Sequence, residues 1–190
     1  MKKLIFTTSI LFAFAAVGFG QNRSVIAKAQ QITGDTFGYR ITTPSGANVV
    51  SVRKPSAEML RAIDHGLDDL FAVARKNRYR RNLNYSDYTI FIANADRHKS
   101  ADGTYSPAIA VGAAQYAGTD YDKGGYIFAA GMVVSNNPSA FVIAEHTKNF
   151  ESVSDIVRYE GEHLVLYHND RRRYEATKDH SKGGGHPILQ

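Results

Sequence analysis

Apolar residues recur along this chain with two different periods, and the changes of period mark out its elements. Residues 37–43 and 47–53 read as two strands around the turn Pro44-Ser45-Gly46. From residue 55 to about 77 the spacing becomes helical, with Met59, Ile63, Leu67, Leu70 and the Val73/Ala74 pair on one stripe. Pro55 suits the first turn of that helix and Lys54 or Ser56 lies near its cap. His65 falls off the stripe and reads as a surface residue. Residues 87–94, DYTIFIAN, are apolar on both alternating sides, as in a strand covered on both faces.

The next segments are less sharply patterned. Residues 95–106 form a polar connection; Asp96, His98 and Asp102 in it lack the spacing of a calcium loop. Residues 107–114 are a weak strand rich in small residues, and 118–125 a turn region. Residues 126–134 read as one strand in which Gly131 suggests a bulge, 136–138 as a turn, and 140–145 as the last strand. A helix beginning near Ser152 and a short one over 171–179 complete the chain. This order predicts an α+β fold: a mixed or mostly antiparallel sheet, a long backing helix and a C-terminal motif helix.

Residues 1–20 have the form of a secretory signal peptide. Lys2 and Lys3 precede an apolar stretch, and Gly18 and Gly20 offer a cleavage pattern before Gln21. Residues 21–190 then make a single domain, with 21–35 and 181–190 expected to be flexible. The chain has no cysteine, which excludes a disulfide scaffold and a lipid-anchored lipoprotein. No run after the leader is long and apolar enough to span a bilayer. The protein is expected to be secreted or periplasmic.

Charge adds one feature. The formal net charge is +5, and the leader accounts for two of the cations, so the mature chain is only weakly basic. Five cations fall within residues 75–81: Arg75, Lys76, Arg78, Arg80 and Arg81. Such a run suits an anionic partner, such as nucleic acid or a cell-surface polymer, or simply a solvated helix end whose cations face the negative pole of the helix dipole. The second is preferred, because the run is short and no nucleic-acid module surrounds it. Nucleic acid is not expected as a partner.

The sharpest signal lies between Ser152 and Pro187, which hold four of the seven histidines: His163, His168, His180 and His186. At helical spacing Val153, Ile156, Val157, Glu160, Leu164 and Tyr167 share one arc, with His163 at its edge beside Tyr159. Glu162 and Val165 are expected to point the other way. A carboxylate at the centre of an apolar face should be paired or functional, because burying a lone charge is costly.

Residues 159–163, Tyr-Glu-Gly-Glu-His, resemble a degenerate zincin motif. The zinc-peptidase pattern is H-E-x-x-H, with two histidines on zinc and the Glu as general base. Here Tyr159 replaces the first histidine. The later Gly and His of the extended pattern fall on Leu166 and Asn169, which puts a standard peptidase site in doubt. More broadly, YEGEHLVLYHND followed by GGGHP, with YAGTDYDKGGYIFAAG upstream, resembles a family of small secreted bacterial proteins of unassigned function. The order of elements is compatible with a zincin-like half-domain, and the resemblance carries no established activity with it.

The candidate chemistry follows from both lines. Glu160 and Tyr159 are the candidate catalytic residues, and His163, His168 and His186 the candidate metal ligands, with zinc as the metal. The glycines before His186 allow the tail to fold closely over the site. Glu162 and Asp170 are further possible ligands. The expected function is a secreted, zinc-dependent, peptidase-like hydrolase acting on a peptide or protein. The alternative is a non-catalytic secreted binding protein in which Glu160 and His163 are a self-satisfied i,i+3 pair. A third reading is an anionic-polymer binder through 75–81 and Arg171–Arg173. Phosphate loops, a serine elbow and cysteine nucleophiles are absent.

Overall fold

The computed structural model describes residues 26, 27, 29, 30, 35–93, 126–129, 132–135, 140–144, 150–178 and 184–189. The expected leader, the 95–106 loop, the 107–114 strand, the 118–125 and 136–138 turns, the Gly131 bulge and His180 lie outside them.

The fold is α+β with a mixed sheet, as the order of periods predicts. Strands β1 (Tyr39–Thr42) and β2 (Asn48–Ser51) pair antiparallel around the Pro44-Ser45-Gly46 turn. Gly46 takes φ 101° there, a value that only glycine adopts without strain. Helix α1 (Ala57–Lys76) follows, then a 3-10 turn and β3 (Thr89–Ala93), which runs parallel to β2. Strands β4 (Tyr126–Ala129) and β5 (Met132–Ser135) come next, then β6 (Ala140–Ala144), parallel to β3. The chain ends in α2 (Phe150–Asn169) and α3 (Arg171–Thr177). The sheet order is β1-β2-β3-β6, so both neighbours of β3 are parallel to it. All five β3 residues are buried, which is why its sequence is apolar on both sides.

One expected element is different. Residues 126–134 are not a single strand: β4 and β5 pair antiparallel, with Ala129 opposite Met132. The uninterrupted apolar run conceals the reversal, because the two residues between the strands, Ala130 and Gly131, are neither polar nor proline.

Capping fixes α1 at both ends. Ser56 accepts the Met59 N–H at 3.1 Å, which satisfies one of the orphan donors of the first turn. At the far end Arg78 takes φ 64°, and the Tyr79 N–H reaches back to the Ala74 carbonyl at 3.0 Å. That is the left-handed helix ending usually given to glycine.

The core lies between the helices and one face of the sheet. Val49, Ile90 and Ile92 join Met59, Ile63, Leu67 and Leu70 of α1 and Val153, Val157 and Leu164 of α2. On the opposite face of the sheet, Phe91 meets Phe37 edge-on at 5.2 Å. The two helices approach closely through glycines. A Cβ at Gly66 would stand 2.4 Å from the Ser154 carbonyl oxygen and 2.9 Å from the Val157 Cβ; one at Gly161 would meet only the Leu70 Cδ2, at 2.6 Å. His65 is exposed, as expected, yet its Nδ1 pairs with Ser154 Oγ at 2.9 Å across the same seam. Gly66→Ala should therefore destabilise by about 1–3 kcal/mol, because backbone must move. Gly161→Ala should cost less, since a leucine tip can rotate. Urea unfolding of the two variants checks the order.

Candidate functional site

Helix α2 is enclosed more completely than its sequence suggests. Every residue from Glu160 to Leu166 is buried, including Glu162 and Val165, which were expected to face outward. The cover on the second face is the chain's own end. Residues 184–189, within the segment expected to be flexible, lie folded against the helices. The Gly185 N–H bonds the Thr177 carbonyl at 3.0 Å, and Ile188 is 6% exposed within the core.

Tyr159, Glu162 and His163 are spaced i, i+3, i+4 and so share one face of α2. His186 sits on that face. Its ring is 4.9 Å from the His163 ring and edge-on to Tyr159 at 5.2 Å. Its Nδ1 is 4.0 Å from Glu162 Oε2. The Ile188 N–H donates to the other oxygen of Glu162 at 3.2 Å. Glu160 lies on the neighbouring face, with its Oε2 3.7 Å from His163 Nε2. Tyr174 of α3 closes the far side, its ring 6.5 Å from that of His163.

Two carboxylates in such an enclosure hold their protons tightly. Burial pushes Glu160 up to about 8. Burial also raises Glu162, to about 7, while the N–H groups of Ile188 and Leu189 and the charge of Arg173 pull it partly back. Glu160 Oε2 and Glu162 Oε2 are buried and accept no hydrogen bond among the described residues.

The sequence-predicted residues divide accordingly. Tyr159, Glu160, His163 and His186 come together. His168 does not join them: five residues on from His163 it lies about 140° around the helix, packed edge-on against Tyr167 at 5.2 Å. Among the described residues no three His, Asp or Glu side chains are close enough, as placed, to hold a metal ion. Comparison with family models, curated proteins and solved structures finds no match.

Two further residues matter that helical periodicity does not single out. Glu162 anchors the tail, through partners 24 and 26 positions later in the chain. Asn169, the expected third-ligand position, is a clamp. Its Oδ1 accepts the N–H groups of Arg80 and Arg81 at 2.9 and 2.8 Å, and its Nδ2 donates to the carbonyls of Arg81 and Val165, both at 2.8 Å. With its amide fully used in this way, it is not a ligand.

Proposed function

We propose that this chain is an exported, zinc-dependent hydrolase of peptidase type, built on a reduced zincin-like helix. The observation that carries the reading is the position of His186. The motif helix lacks its first histidine at Tyr159, and the tail lays an imidazole against that same tyrosine, 4.9 Å from His163. Two imidazoles beside carboxylate oxygens without donors form the nitrogen and oxygen set that zinc takes.

His163 and His186 would hold the metal. Glu162, 4.0 Å from His186 Nδ1, would orient that ring, the part a carboxylate commonly plays behind a ligating histidine. Zinc, when bound, supplies Lewis acidity to a carbonyl and lowers the pKa of a water. Glu160 would take the proton from the attacking water. A cation nearby lowers its raised pKa, the direction a base working near neutral pH requires. Tyr159, 37% exposed at the rim, offers a hydroxyl donor to a developing oxyanion. The substrate class is a peptide or protein.

A second reading is supported by the enclosure itself. Glu160 and His163 are each only 4% exposed, and no third ligand stands with them among the described residues. In that reading Glu160 and His163 are a structural i,i+3 pair in the core of a non-catalytic binding protein. Metal analysis and peptide hydrolysis on the mature protein, purified without a histidine tag, separate the two. The hydrolase should carry near-stoichiometric zinc. Glu160→Gln should keep the metal while losing about 10²–10⁴-fold in kcat, and His163→Ala should lose the metal. A metal-free, folded, chelator-insensitive parent leaves the second reading standing.

A further inference from the structure

The Asn169 clamp joins two basic stretches that are nearly ninety residues apart in sequence. It fixes the backbone of Arg80 and Arg81 against the end of α2, beside Asp170 at the start of α3. Tyr79 extends the join: its hydroxyl donates to Asp170 Oδ2 and accepts from an Arg173 guanidinium nitrogen, each at 3.2 Å. One end of the molecule therefore presents residues 75–81 and 169–178 together. These carry nine Lys and Arg against two Asp and Glu, a net charge of +7, whereas the whole chain is +5. The remainder of the chain is thus net negative. A face that served only solubility would not need the charge gathered at one end.

The chemistry of the partner follows from which cations are committed. Arg171 is held by Glu175 at 2.9 Å and lies over the Tyr167 ring at 4.0 Å. Arg80 donates to the carbonyls of Arg75 and Tyr79. Lys76, Arg78, Arg81 and Arg172 are exposed, and their side chains make no hydrogen bond or ion pair among the described residues. Seven of the nine cations are arginines, whose forked donors match phosphate oxygens in pairs. The aromatic rings here are not open platforms. Tyr174 is buried, Tyr167 is covered by Arg171, and the Tyr79 hydroxyl is used internally. Base stacking, the usual grip on single-stranded nucleic acid, therefore has no surface to use.

We propose that this cationic end binds a phosphate-bearing polymer through its phosphates, without reading bases. The binding is separate from the zinc reading, and Glu160→Gln should leave it unchanged. The test is titration of fluorescently labelled linear polyphosphate into the mature chain at increasing salt. Affinity should fall steeply, because each neutralised phosphate releases counterions. The triple variant Arg78→Asn, Arg81→Gln, Arg172→Gln removes three uncommitted guanidinium groups, and asparagine tolerates the left-handed backbone at position 78. It should melt like the parent, reduce the log–log salt slope by about 2–3 and weaken binding at least tenfold. No binding, a flat salt dependence, or a natively folded triple variant with parental affinity would each overturn the proposal. So would tighter binding of a sulfated polysaccharide, or of an oligonucleotide of equal charge, since these would assign the face to sulfate or to bases.

Discussion

With a chelator present, the protein should lose several kcal/mol of stability as the pH is raised from 5 to 8.5. Glu160 ionises near 4.5 when the chain is unfolded and near 8 when folded; for Glu162 the folded value is about 7. Between those values the folded state keeps protons that the unfolded state has released. The stabilisation is fully present below about 4.5, declines as the pH rises, and is gone above the folded values. Each unit of difference corresponds to about 1.4 kcal/mol, so Glu160 alone contributes on the order of 3–5 kcal/mol. Among the described residues the groups facing these carboxylates are His163, His186 and, from α3, Arg173. Only the last is a permanent cation, and it acts on Glu162. Glu160→Gln keeps the shape of the neutral acid. It should match the parent at pH 5, exceed it at pH 8.5 and flatten the curve. Urea unfolding of both proteins at the two pH values gives the comparison. A parent whose stability rises with pH would mean that a countercharge holds Glu160 ionised.

What the sequence reveals about this fold depends on how local the cause is. The α1 stripe of Met59, Ile63, Leu67 and Leu70, its Ser56 cap and the Gly46 turn are each set by neighbours a few positions away, and all are legible. So is β3, because burial on both faces leaves a continuous apolar run. The β4–β5 reversal is hidden because its two intervening residues carry no polar or proline signal. The site is legible on its α2 side, where Glu160 and His163 stand at i and i+3. Its other half is not. Glu162 reads as an outward residue because the group that covers it, the backbone of Ile188, is supplied by the far end of the chain. Asn169 shows the same limit. A motif template assigns it a ligand's place, whereas its partners, Arg80 and Arg81, are 89 and 88 positions away. The direction of a side chain follows from helical spacing; what meets it there follows from the tertiary path.

Ile188→Ala should cost about 2 kcal/mol, and deletion of residues 184–190 should cost nearly the same. Ile188 is 6% exposed, and truncating a buried isoleucine to alanine typically costs about 2–5 kcal/mol. That full range is not available here, because the tail can detach instead. Its docking is a balance: burial of Ile188 and the donors given to Glu162 act against the backbone entropy of the ordered residues, about 1–2 kcal/mol each. Once a substitution costs more than the net docking free energy, the tail leaves and the loss reaches a ceiling. Ile188→Ala and the deletion should therefore converge to within about 0.5 kcal/mol. Glu162→Gln added to either should change stability by less than it does in the parent, since the donors it loses are already gone. Detachment also withdraws the N–H groups that restrain Glu162, while admitting water to it. Unfolding midpoints of the single variants, the deletion and the double variants measure the ceiling, and limited proteolysis near Gly185 reports tail release directly. A deletion much less stable than Ile188→Ala would show that the tail cannot leave without taking the fold of α2 with it.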